Sequence, residues 1–132
     1  MCLLHEVLAW DDQHIVCKAL GHTNKDNPLR RADQLGAAVG VEYAAQAMAV
    51  HGALLASISG VVASPPAMGY LTSVRGLSLY VDRLDTQTGP LRVTTTRQSG
   101  DARLILYQFS IYCADKCLLE GRASVVLNAE SL

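Results

Sequence analysis

The stretch Gly36-Ala37-Ala38-Val39-Gly40-Val41-Glu42-Tyr43-Ala44-Ala45-Gln46-Ala47-Met48-Ala49-Val50-His51-Gly52-Ala53-Leu54-Leu55-Ala56-Ser57 decides how this chain folds. Strand signal is almost absent from it, and alanine, the best helix former, is dense. It predicts a helix over about 36–57, with Asp33 placed to cap its start. Gly36, Gly40 and Gly52 weaken the helix slightly but let other backbone approach closely. A helix apolar on nearly every face is enclosed, so the rest of the chain must wrap around it.

Upstream, residues 3–10 look like a strand, Asp11-Asp12-Gln13 like a turn, and 14–20 like a second strand, together a hairpin. Residues 21–34 carry Asn24, Asp26, Asn27 and Pro28 and are expected to be a loop. Downstream, Pro65-Pro66 and Gly69 mark 61–70 as a connector. Strand-like runs follow at 73–84, 91–98, 102–113 and 117–127. Leu91, Val93 and Thr95 alternate with Arg92, Thr94 and Thr96, as in a half-buried strand. Gly100-Asp101 and Ala114-Asp115-Lys116 supply turns. Two strands, a long helix and four strands make an α+β fold: one curved antiparallel sheet around a central helix. The 132 residues suit a single domain over 1–132.

Composition excludes several classes of function. Half the residues are hydrophobic, enough for a real core, and the net charge is −1. With no basic block, nucleic acid is not an expected partner. The apolar run 36–64 is broken by Glu42, Gln46 and His51. A central charge alone costs roughly 2.5–3.5 kcal/mol in a bilayer, so no membrane span is expected. Residues 1–9 lack a basic start and a small-residue cleavage site, which points to the cytoplasm. Cys2, Cys17, Cys113 and Cys117 match neither zinc nor redox spacing, so they are expected as reduced thiols, with a Cys113–Cys117 bridge as the alternative. No metal or cofactor motif is present.

Glu42 and Gln46 are four residues apart and share a helical face among Val39, Ala49 and Val50. An enclosed carboxylate is costly unless paired or protonated, and a protonated one suits general acid chemistry near neutral pH. The alternative is a Glu42 at the helix edge, reaching water. His51, roughly opposite Glu42 around the helix, is expected as a satisfied core histidine.

The run from Gly40 to Ala49 resembles the central-helix signature of the hot-dog-fold 3-hydroxyacyl-ACP dehydratases, a Gly followed by Glu-x-x-Ala-Gln. Leu3-Leu4-His5-Glu6-Val7-Leu8 resembles their opening strand, and Asn27-Pro28-Leu29 the start of their active-site loop. The chain is most similar to the dehydratase subfamily associated with aryl-polyene pigment synthesis in bacteria, where Asn-Pro-Leu-Arg and Gly-x-Glu-Tyr-Ala-Ala-Gln-Ala-Met-Ala recur. Two departures stand out. The fatty-acid dehydratases carry a catalytic His between the Asn-Pro and the helix, whereas 30–39 contains none; His22, just before Asn27, is the nearest substitute, or else a polar loop residue. Relatives also have a segment ahead of the Leu-Leu strand, so the chain is expected to lack a short N-terminal piece.

The resemblance implies loss of water from a 3-hydroxyacyl thioester on acyl carrier protein, giving the trans-2-enoyl form, in fatty-acid-like or aryl-polyene chain building. It implies His22 as base and Glu42 as acid, with Gln46 orienting Glu42. Substrate would meet Gln46, Gly40, Val41, Asn27, Pro28 and Ser73. A backbone N–H near Ser73 and free N–H groups at Gly40 and Val41 would hold the thioester. Arg30, Arg31 and Arg75 are either carrier contacts or solvated. The implied assembly is a homodimer, or a heterodimer with another hot-dog protein. The competing functions are acyl thioesterase and non-catalytic subunit of a hot-dog heterodimer.

Overall fold

The computed structural model describes residues 2–58, 69–101 and 103–127. Strands β1 (Glu6–Trp10) and β2 (His14–Ala19) form the opening hairpin. A loop with short 3-10 turns at Gly21–Thr23 and Ala37–Val39 leads to helix α1 (Gly40–Ile58). Then come β3 (Gly69–Leu79), β4 (Leu91–Gly100), β5 (Leu104–Cys113) and β6 (Lys116–Leu127). All six strands join one antiparallel sheet in the order β1-β2-β4-β5-β6-β3, so β1 and β3 are its edges. This is the expected α+β hot-dog arrangement, a curved sheet around one long helix.

The helix begins later than 36. Gly36 is extended (φ −65°, ψ 152°) and leads the Ala37–Val39 turn without any side-chain cap. Asp33 is not the cap. It has φ 61°, beside Ala32 at 51°, in a tight turn closed by the reciprocal Arg31–Gln34 backbone bonds. Two successive positive φ values define that hairpin turn, and it uses Asp33 up before the helix starts. The strand expected over 73–84 is shifted to Gly69–Leu79. From Tyr80 the chain leaves the sheet to follow the approach to α1: Ala37 N–H donates to Asp82 O at 3.0 Å and Leu84 N–H to Leu35 O at 2.8 Å. Of the expected connector 61–70, residues 61–68 lie outside the described residues, as does Ala102 at the start of the expected 102–113 strand.

The helix packs on β4, β2 and β5. Ile15, Cys17, Leu91, Val93, Phe109 and Ile111 are buried beneath it, with Tyr43, Ala44 and Ala47 above. Gly40 lies close to β5 and β6: a Cβ there would come 2.7 Å from the tip of Leu119 and 3.0 Å from the tip of Ile111, so a larger residue would require those side chains to shift. The β6–β3 side is less covered. Leu71 and Leu79 pair in register with Val125 and the buried Leu119, on the inward face. They are nevertheless 38% and 47% exposed. All four cysteines are free, so Cys113 and Cys117 are not bridged. No helix among the described residues is long and apolar enough to cross a membrane.

Candidate active site

Glu42 stands in the first turn of α1 and is exposed in the single chain. Of the two sequence readings, the structure therefore takes the helix edge. Its carboxylate makes no hydrogen bond or ion pair among the described residues. Next to it, Tyr43 is fully buried. Burial pushes the Tyr43 phenol up from its ordinary value, against a smaller downward pull from Asn27. The helix thus turns one face into the core and lifts a single carboxylate out of the other.

Gln46 lies one turn on, and its Oε1 accepts Leu3 N–H at 2.8 Å. That oxygen ties the N-terminal segment to the helix rather than orienting Glu42. Gly40 also departs from expectation. Its N–H is directed to Ala37 O and Ala38 O of the preceding turn, so it is not free for a thioester. The 3-10 turn extends the helix backwards and absorbs the donor that a bare N-terminus would present. Val41 is half-buried beside it. Ser73 lies on β3, where its hydroxyl donates to Ser124 Oγ at 3.1 Å.

The loop before the helix is held by four pins. Asn27 is buried, its Nδ2 donating to Gly21 O at 3.0 Å and Tyr43 Oη at 3.1 Å, while its Oδ1 accepts Leu29 N–H at 2.9 Å. These bonds make Asn27 a strut between loop and helix; Pro28 beside it is exposed. Arg30 donates to Asn24 O (2.8 Å), Asp33 O (2.8 Å) and Thr23 O (3.1 Å), gathering the loop around its guanidinium. It is thereby committed inside the chain, unlike the exposed Arg31 and Arg75. Asp85, its side chain 6% exposed, accepts Leu35 N–H at 3.1 Å and both Nε (3.1 Å) and Nη2 (2.6 Å) of Arg83, with Arg30 Nη1 at 3.9 Å. The Arg83 guanidinium, outweighing desolvation, holds the Asp85 carboxyl well below the usual carboxylate range. Sequence reasoning missed Tyr43 and Asp85. The only signal was the Asp82-Arg83-Leu84-Asp85 alternation at the end of a predicted strand, which alone does not say where its charges point.

His22 is the fourth pin. It is 2% exposed, and its Nε2 lies 3.0 Å from Gln87 O, so Nε2 carries the proton that it donates. Nδ1 is buried and unpartnered among the described residues. Desolvation, only partly offset by nearby carbonyls and Asp85, lowers the pKa of the ring. No hydrogen bond or ion pair joins His22 to Glu42. His51 is a core residue, bonded through Nδ1 to Tyr107 Oη (2.9 Å) and through Nε2 to Asp11 O (2.8 Å). A groove of about 440 Å³ lies elsewhere, between the β1–β2 turn, Leu55 of α1 and the end of β4, away from Glu42.

The fold is shared with solved structures. The chain superimposes on the dehydratase heterocomplex ApeI:P from Xenorhabdus doucetiae with a TM-score of 0.83 at 20% identity, covering 98% of this chain and 85% of that one. A thioesterase of Haemophilus influenzae matches with a TM-score of 0.63 at 12% identity, over 92% and 76% of the two chains. A thioesterase of Staphylococcus aureus gives 0.66 at 10%, over 93% and 92%. No curated protein sequence matches significantly. Proteins described as dehydratase and as thioesterase thus share this scaffold; the family model of the ApeP dehydratases matches residues 1–131, and the chain belongs to that ApeP-like family.

Proposed function

We propose that the chain supplies one half of a two-chain dehydratase, which removes water from a 3-hydroxyacyl thioester on acyl carrier protein and gives the trans-2-enoyl form. The observation that carries this reading is Glu42, the one carboxylate of a largely apolar helix, exposed at its edge and unpaired among the described residues. In the reaction a base takes the proton from the carbon next to the thioester carbonyl. The electrons form the double bond as the C3–O bond breaks. Glu42, protonated, delivers a proton to the departing hydroxyl, which leaves as water. Covering by a partner subunit would provide the low dielectric that keeps Glu42 protonated.

The base is assigned to the partner. His22 remains the candidate within this chain, through Nδ1, but its burial and its bond to Gln87 O keep it from substrate. Two features favour a second hot-dog chain: β3 is a long free edge, and Leu71 and Leu79 expose inward-face apolar surface beside it. The solved ApeI:P relative is itself a heterocomplex, which favours a non-identical partner. The place of action is proposed to be the cytoplasm, in fatty-acid-like or aryl-polyene chain building.

The test is dehydration of a 3-hydroxyacyl-ACP by the chain alone and by the chain with a related hot-dog subunit. Activity is expected only in the mixture. Glu42→Gln should lower it by about 10²–10⁴-fold without lowering stability, while His22→Ala leaves residual turnover in whatever fraction stays folded. Release of free carrier thiol without water loss would give the site to thioester hydrolysis. Full activity in Glu42→Gln would remove Glu42 from the chemistry.

A further inference from the structure

The outer face of the free edge carries a pair of cations that form no ion pair among the described residues. Arg75 on β3 sits directly opposite Arg122 on β6, and both are exposed. The Arg122 guanidinium leans across β3: a Cβ on Gly76 would meet Nη2 at 3.9 Å and Nε at 4.0 Å. Gly76 allows this because it lies at φ 60° in the bulge between Arg75 and Ser78. Both positive groups therefore crowd the same short stretch of edge. Among the described residues, neither makes an ion pair or a side-chain hydrogen bond. The carboxylate on the same face, Glu120, accepts the Tyr80 hydroxyl at 2.7 Å instead.

Like charges directly opposite destabilise a sheet. Here they stand in a chain whose net charge is −1, so overall charge does not explain them. Their effect on self-pairing follows from geometry. Two copies joined edge to edge through β3 around a two-fold axis run antiparallel. An axis near Val74, the middle of the strand, sets the two Arg75 side chains diagonally across the new junction on one face, with an Arg122 behind each. Strands at about 4.8 Å spacing bring all four guanidinium groups together.

We propose that Arg75 and Arg122 disfavour a homodimer through β3 and select a non-identical hot-dog chain whose facing edge strand carries Asp or Glu. The selection works by repulsion of the wrong partner as well as attraction of the right one. It rests on the two-chain reading above and names what on this chain chooses the partner.

The test needs no substrate, so its failure is separate from failure of the dehydratase assignment. Sedimentation velocity is run on the full chain at about 50 mM and about 500 mM salt, where screening lengths differ roughly threefold. Self-association of the unmodified chain should be weak at low salt and strengthen about tenfold at high salt. The double variant Arg75→Ser/Arg122→Ser should self-associate at least about tenfold more tightly at low salt and lose the salt response. The double variant Arg75→Glu/Arg122→Glu supplies an acidic edge of matching shape. Mixed with the unmodified chain, it should form a dimer tighter than either chain forms alone. Thermal midpoints check that the variants fold, and the salt response of the unmodified chain needs no variant. A tight homodimer at low salt, or a mixture no tighter than its components, overturns the proposal. If the serine variant loses binding to acyl carrier protein with self-association unchanged, the pair belongs to carrier docking and the proposal fails.

Discussion

The two sides of the sheet follow the same inward alternation and meet different fates. Under α1, the inward residues of β2, β4 and β5 are sealed: Ile15, Leu91 and Val93 have no exposed surface. On β3, Leu71 and Leu79 have the same orientation and remain open to solvent. The helix does not cover the whole sheet, and its first residue, Gly40, lies close against Leu119. The sealed side stabilises the fold, the open side is the one the two-chain proposal assigns to a partner, and the exposed carboxylate of Glu42 is not part of the sealed core.

The largest expected effect lies on the sealed side. Phe109→Ala empties a site whose ring also fills the space over Gly121, where a Cβ would lie 3.0 Å from the ring. A loss of about 3–5 kcal/mol in urea unfolding is expected. A loss under about 1 kcal/mol would mean that this side is not the stabilising one. Asp85→Ala should cost roughly 1–3 kcal/mol, since Leu35 N–H and the Arg83 and Arg30 guanidinium groups lose their shared acceptor. It should also lower turnover of the assembled enzyme, because the backbone that leads into α1 loses its anchor.

Leu79→Ser probes the open side. Unfolding of the isolated chain should change by no more than about 0.5 kcal/mol, because the side chain is already exposed there. Association with a partner subunit, followed by sedimentation, should weaken. The smallest expected effect is the pH response of His22. Its folded pKa is depressed, chiefly by desolvation, so the unfolded chain binds the proton more readily. Its contribution is complete above the ordinary histidine value of about 6.5 and is lost as pH falls towards the lower folded value. Urea midpoints at neutral and mildly acidic pH should fall less steeply in His22→Gln than in the unmodified chain.

Much of this was legible in the residues. Periodicity and turn chemistry located the helix and all six strands to within a few residues, because those signals are local. A curved sheet around a central helix follows from the strand order and a helix too apolar to lie on a surface. The Gly-x-Glu-Tyr-Ala-Ala-Gln motif brought the family with it. Side-chain partnerships were less legible. Asn27 looked like a substrate residue and is a strut to Tyr43. The i, i+4 spacing pairs Gln46 with Glu42, whereas the Gln46 Oε1 accepts Leu3 N–H. The start of a helix implies a free N–H at Gly40, which the preceding turn takes.

The sequence by itself determined where chain becomes helix or strand, which face of each is apolar, and that Glu42 is the one carboxylate of the helix. Tertiary structure alone decided which side of the sheet the helix seals, that His22 turns towards Gln87 rather than Glu42, and that Arg75 meets Arg122 at a free edge. The reason is range. Backbone preference and hydrophobic periodicity act between neighbours a few residues apart, whereas a polar side chain chooses among partners that only the folded sheet brings near: Asn27 and Tyr43 are 16 residues apart, and His22 and Gln87 are 65.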